Sequence, residues 1–144
     1  MELSRTANSI DESTEASDGR HSTGDTEIPC DPGIQIVIDT YSPVAVGRVL
    51  GDVDILTSPS LALALAELAK SDTPFVLDMT NVGFIGTSAL SVISDFATSA
   101  RYEDISWTLA ASRSLRHLLA ATGIDTKMSV CRSVEEASRR VRAA

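Results

Sequence analysis

The chain has 144 residues, 43% of them hydrophobic and 22% charged, which suits one soluble domain with a single core and excludes a disordered or fibrous protein. No apolar run approaches the roughly 18 to 20 residues of a membrane span, and the N-terminal stretch MELSRTANSIDESTEASDGR lacks the apolar centre of a signal peptide, so a cytoplasmic protein with no membrane partner is expected. The net charge of −8 argues against nucleic acid as a partner, because phosphate backbones are bound by basic patches.

That charge is unevenly placed. Residues 1–33 hold eight acids (Glu2, Asp11, Glu12, Glu15, Asp18, Asp25, Glu27 and Asp31) against Arg5 and Arg20. Large apolar residues are scarce there, so burial cannot offset the entropy of ordering, and residues 1–33 read as a disordered acidic tail before a domain spanning 34–144. IQIVIDT (34–40) is rich in β-branched residues and reads as a strand. VAVGRVLG (44–51) reads as a second, and the short Tyr41-Ser42-Pro43 connection predicts an antiparallel hairpin. SPSLALALAELAK (58–70) carries helix signals, with Ser58 as candidate N-cap, Pro59 in the first turn and a Leu/Ala body.

FVLDM (75–79) has the pattern of a buried strand. A helix follows from Thr87 to Tyr102, with Leu90, Ile93, Phe96 and Ala97 forming its core stripe. In ISWTLAA (105–111), Ile105, Trp107 and Leu109 alternate on one face of a strand. SLRHLLAATG (114–123) reads as a short helix closed by Gly123, TKMSVC (126–131) as a strand, and SVEEASRRVRAA (133–144) as a last helix. Ser133 and Glu136 have capping-box spacing, and Arg139, Arg140 and Arg142 read as helix-end charge. The order ββαβαβαβα predicts an α/β fold: a mixed sheet of about five strands with about four helices, mainly on one face, and right-handed crossovers.

The residues that could carry chemistry centre on Gly86-Thr87-Ser88, where strand passes to helix. A hydroxyl there could cap the helix, or accept a phosphoryl group held against the helix N–H groups. Catalysis is disfavoured, because a nucleophile needs a base, and the only histidines are His21 in the tail and His117 in a helix. No nucleophile elbow, P-loop or dinucleotide fingerprint occurs, so neither enzymatic activity nor a cofactor is expected. Asp52 and Asp54 read as turn residues rather than metal ligands, and Asp78 as hydrogen-bonded to a turn. Cys30 and Cys131 lack the spacing of a metal site and read as two unrelated thiols.

Three strings, G-D-V-D (51–54), L-D-M-T-N-V-G-F-I (77–85) and A-A-S-R-S-L-R-H-L-L-A-A-T-G-I (110–124), with the order of elements, resemble the STAS domain. More narrowly, residues 34–143 resemble the small anti-sigma factor antagonists of bacteria. The resemblance implies a partner switch, in which the unmodified protein binds an anti-sigma factor, a GHKL-type serine kinase, and so frees a sigma factor. Phosphorylation then releases the partner. The family pattern F-[IM]-D-S-[ST]-G-L aligns with Phe84-Ile85-Gly86-Thr87-Ser88-Ala89-Leu90. This implies Ser88 as the phosphorylated residue, with Thr87 as second choice. It also implies a partner-binding surface of Asp52, Asp54, Gly86, Thr87, Ser88 and Ala89, on a monomer or weak dimer. The chain departs from the pattern at Gly86, where the family has Asp, and at Ala89, where it has Gly. A STAS binding module without a phospho-switch, regulated by a ligand, by redox chemistry or by the tail, is the alternative.

Overall fold

The computed structural model describes residues 25–28, 33–40 and 44–143. In chain order these form β1 (Asp25–Ile28), β2 (Ile34–Asp39), β3 (Ala45–Val53), α1 (Ser58–Lys70), β4 (Phe75–Ile85), α2 (Thr87–Tyr102), β5 (Trp107–Ala111) and α3 (Arg113–Thr122). A 3-10 helix (Ile124–Lys127), β6 (Val130–Cys131) and α4 (Val134–Ala143) complete them. The six strands lie in one sheet in sequence order. β1, β2 and β3 are antiparallel neighbours, whereas β3 to β6 run parallel. The short hairpin connection and the helical crossovers account for this mixture, since only parallel neighbours need a long return path.

Period-2 alternation sorts the side chains onto two faces. Ile34, Ile36 and Ile38 of β2, Val49 and Val53 of β3, Phe75, Leu77 and Met79 of β4, and Trp107 and Leu109 of β5 form the main core with α1, α2 and α3. Leu61, Leu65 and Leu68 supply the α1 side of that core, and Leu90, Ile93 and Ala97 the α2 side. Phe75, Phe96 and Trp107 meet as an aromatic trio with ring centroids 5.1 to 5.9 Å apart, within the range where edge and stacked contacts add to burial. On the second face a smaller cluster of Val44, Val46, Val76, Ala110 and Cys131 packs against Val134, Ala137 and Val141 of α4.

The fold follows the expected order from residue 34 onward, with several corrections. Residues 25–28, assigned to the tail, form β1, with Asp25 opposite Asp39 and Ile28 opposite Ile36. The unpaired backbone of β2 recruits this short segment, a driving force that composition does not reveal. The remainder of the tail reading, residues 1–24 and 29–32, lies outside the described residues, as do Tyr41-Ser42-Pro43 and Cys30. β4 continues beyond Met79 to Ile85, because β3 offers it a partner as far as Val53. TKMSVC is mostly not a strand: the 3-10 helix takes up Thr126 and Lys127, and only Val130 and Cys131 pair with β5.

The caps also move. Thr57, not Ser58, is the N-cap of α1, and Ser58 is its first helical residue. Gly123 closes α3 with φ +78 as its sequence position suggested. Ser133 accepts a hydrogen bond from the Glu136 N–H at 3.1 Å while the Glu136 carboxylate reaches back to the Arg132 N–H at 3.1 Å, so α4 begins with reciprocal capping.

Candidate functional site

The carboxyl ends of β3 and β4 lie side by side, with Asp52 opposite Phe84 and Val53 opposite Ile85. The ladder closes where the Gly86 N–H donates to the Val53 carbonyl at 2.8 Å. Register shifts interrupt the pairing between Arg48 and Leu50 and between Gly51 and Asp52. At the second shift Gly51 has φ +99 and packs against Gly33, which has φ +103. The Asp52 N–H there donates to the Gly33 carbonyl at 2.8 Å. These bends bring the β3–α1 loop beside the start of α2.

Asp54 organises that loop. Its carboxylate accepts from the Leu56 N–H at 2.9 Å, the Thr57 N–H at 3.0 Å and the Thr57 hydroxyl at 3.1 Å. The Thr57 hydroxyl also lies 2.9 Å from the Asp52 carbonyl and from the Asp54 N–H. The Thr57 N–H, chiefly, holds the Asp54 carboxyl below the ordinary range; desolvation opposes this, and the Thr57 hydroxyl and Leu56 N–H add to it. Asp52 is exposed, and its carboxylate lies over Gly83, where a Cβ would approach Oδ1 to 2.9 Å.

Across from this loop, α2 begins without a side-chain cap. Gly86 is its N-cap, and the first turn holds no acid. Thr87 and Ser88 are therefore the first and second helical residues, and the capping role considered for them falls to a glycine backbone. Thr87 is exposed and Ser88 half-buried, so both hydroxyls lie at a helix start whose N–H groups and dipole favour negative charge. A Cβ at Gly86 would meet Phe84, Asp54 and Val53 only at 3.5 Å or more, with φ at −96. A Cβ fits there without backbone strain.

Five of the six residues proposed for partner binding, Asp52, Asp54, Gly86, Thr87 and Ser88, thus share one end of the sheet. Ala89 is the exception: its side chain is fully buried in the core, because the second turn-facing position of α2 points inward. The residues that sequence reasoning missed are apolar. Ile55, Leu56 and Phe84 are 77%, 72% and 56% exposed and flank the aspartates and hydroxyls. Three large apolar side chains in solvent beside a polar loop carry the signature of a protein-binding surface.

The remaining candidates lie apart. Asp78 is buried within β4, where Oδ1 accepts from the Thr80 N–H at 3.0 Å and the Thr80 hydroxyl at 2.7 Å; its partner is the strand rather than a turn. His117 is exposed on α3 and forms no hydrogen bond with either hydroxyl among the described residues. Cys131 is a buried free thiol whose pKa is pushed up by burial. It lies in β6. No helix among the described residues is long and apolar enough to cross a membrane.

A sheet of this order, with helices following its parallel strands and an Asp-rich loop beside a hydroxyl-bearing helix start, defines the class. The chain belongs to the STAS domain family, whose model matches residues 35–137. Among solved structures it is similar to an anti-sigma factor antagonist from Mycobacterium paratuberculosis, at 23% identity and a TM-score of 0.67, over 79% of this chain and 99% of the other. It is also similar to the anti-sigma factor antagonist SpoIIAA in its unphosphorylated form, at 16% identity and a TM-score of 0.56, over 76% and 97% of the two chains. At these identities the likeness is one of fold. No curated protein matches the chain.

Proposed function

We propose that the protein is an anti-sigma factor antagonist. Its docking surface is the end of the sheet formed by Asp52 to Leu56 and Phe84 to Ser88, and its partner is a GHKL-type anti-sigma kinase. Occupying that partner frees a sigma factor. The observation that carries this reading is the exposure of Ile55, Leu56 and Phe84 beside Ser88: apolar anchors next to a hydroxyl at a helix N-terminus. The STAS family and the antagonists of like fold support it.

In this reading Ser88 is the phosphoacceptor and Thr87 the lesser one. A phosphate there adds about −1.5 to −2 charge, beside Asp52 and Asp54. The desolvation of a dianion at an apolar interface then drives release. Nothing in the loop has to refold. The test is to incubate the protein with the kinase and ATP, locate any phosphate by mass spectrometry, and compare partner affinity before and after. Modification at neither hydroxyl, with the complex still forming, refutes the switch.

Gly86 favours a second reading. The family pattern has a carboxylate where this chain has only a helix-capping glycine, although a Cβ there would meet no atom closer than 3.5 Å. A binding module without a phospho-switch fits that difference. Under this reading Gly86→Asp restores phosphorylation by the kinase, while the unaltered chain binds without being modified.

A further inference from the structure

We infer that α1 is a homodimer interface, packing antiparallel on the α1 of a second copy about a two-fold axis near Ala62 and Leu63. A helix on a globular surface ordinarily turns apolar residues inward and charged ones outward. α1 does not. Leu61, Ala64, Leu65 and Leu68 face the core, yet the solvent side is apolar too: Pro59, Ala62, Leu63 and Ala66 are all exposed, Leu63 by 58%. Charge appears only in the last turn, where Glu67 and Lys70 pair at 3.1 Å. The other helices turn charge to solvent, as at Asp95 and Arg101 of α2, Arg113 of α3, and Glu135 and Arg139 of α4. A helix apolar on both sides has the pattern of one that is covered.

The apolar strip begins before the helix. The Ser58 N–H donates to the Asp54 carbonyl at 2.8 Å, so the chain already turns helically ahead of α1. That turn brings Leu56, 72% exposed, into phase with Pro59 and Leu63. Leu56, Pro59, Leu63, Ala66 and Lys70 then follow one another at alternating steps of three and four residues, the spacing of a seam between two helices. From Leu56 to Ala66 the seam is about 15 Å long and carries no charge.

The strip fits a second copy of itself. Pro59, Ala62, Leu63 and Ala66 stand at the four corners of a helix-packing hole, and Leu63 is also the one large knob among them. A contact between identical surfaces requires each copy to present both knob and hole, and the small corner residues let the axes approach to about 8 Å. The ends match in the antiparallel sense. Lys70 lies about 10 Å beyond Leu63, level with Leu56 of the second copy, whose N–H holds the Asp54 carboxylate at 2.9 Å. Glu67, about 6 Å beyond Leu63, comes level with Pro59 at the electropositive start of the other α1. Parallel packing would set Lys70 against Lys70 and Glu67 against Glu67. The net charge of −8 opposes association, and one helix with one loop buries less than the roughly 800 Å² per partner of a standard interface. The dissociation constant is therefore on the order of 10–100 µM. Leu56 belongs to this seam and to the proposed docking surface, so dimer and kinase complex exclude each other. That exclusion rests on the proposed function; the dimer does not.

Sedimentation velocity of the full-length protein from about 5 µM to about 500 µM tests the inference. The weight-average mass should climb from one chain toward two. Leu63→Glu should raise the dissociation constant at least about tenfold, while the melting temperature of dilute protein stays within a few degrees, because Leu63 is exposed. In a Cys30→Ser background, with Cys131 protected by burial, Ala62→Cys beside the axis should form a disulfide-linked dimer under mild oxidation. Tyr102→Cys, 87% exposed at the end of α2, should not. A single-chain mass at every concentration, a dimer that survives Leu63→Glu, or equal cross-linking at the two positions would each overturn the inference. So would loss of kinase binding on Leu63→Glu in a protein that is otherwise a monomer, since the strip would then belong to that partner. A dimer that forms as described while no kinase binds supports the interface and refutes only the proposed function.

Discussion

Gly51 is the residue on which the geometry of the Asp52–Asp54 loop depends, and Gly51→Ala tests that dependence. Its φ of +99 lies where L side chains rarely go, and a Cβ would overlap the Gly33 carbonyl oxygen and come within 3.2 Å of the Ile34 Cα. These are backbone atoms of the neighbouring strand, so no side chain can rotate away to relieve the overlap. A strained backbone residue costs about 1–3 kcal/mol. Displacing Gly33 also weakens the 2.8 Å bond from the Asp52 N–H, worth about 1 kcal/mol. The expected loss is therefore about 2–4 kcal/mol, read as a lowered urea midpoint at unchanged slope. Gly86→Ala is the internal control. At φ −96 with no atom closer than 3.5 Å, it should cost under about 1 kcal/mol, the difference between glycine and alanine as an N-cap. Equal losses at the two glycines, or a loss below about 1 kcal/mol at Gly51, would refute the reasoning.

Three further outcomes follow from the same geometry. Phe84→Ala should weaken partner binding by about 2 kcal/mol, or about 30-fold, as an interface anchor does, while leaving the melting temperature of the free protein nearly unchanged; titration calorimetry and thermal melts check both. Phe75→Ala, which removes a fully buried member of the aromatic trio, should cost about 3–5 kcal/mol of stability with no specific effect on the docking surface. Asp54 has a folded pKa below its unfolded one, so its contribution to stability is complete above the unfolded value near 4 and is lost as pH falls through the folded value. Asp54→Asn should therefore flatten the acid limb of the stability profile below about pH 4. An unchanged acid limb would mean that the carboxylate is not held by the Thr57 and Leu56 groups.

The fold was legible where apolar period and breakers agreed. Residues 58–70 and 87–102 were read as helices with the ends they have, since Pro59 and the Leu/Ala body mark one and the stripe from Leu90 to Ala97 the other. The hairpin of β2 and β3 followed from two β-branched runs of short spacing. What escaped was set by pairing rather than by local composition. β1 is four residues of an acidic stretch stabilised by the edge of β2, and the Thr80 to Ile85 part of β4 holds Asn81 and Gly83, poor strand formers carried by β3. The site was legible in its polar residues, because the G-D-V-D string and the paired hydroxyls mark a loop and a helix start. Its apolar members were not. Ile55, Leu56 and Phe84 carry the same side chains as core residues, and only their places in the β3–α1 loop and near the end of β4 leave them facing solvent. Ala89 illustrates the converse: adjacent to the hydroxyls in sequence, it turns into the core because a helix rotates each residue by about 100°.

The central claim is that negative charge at Ser88 controls docking of a kinase-type anti-sigma partner. Calorimetric titration of that partner with the unaltered protein, Ser88→Ala and Ser88→Glu tests it most directly. The expected result is that Ser88→Ala binds like the unaltered, unphosphorylated protein, while Ser88→Glu binds at least about tenfold more weakly, equivalent to about 1.4 kcal/mol of charge and desolvation penalty. Equal affinity for Ser88→Glu and Ser88→Ala would contradict the account.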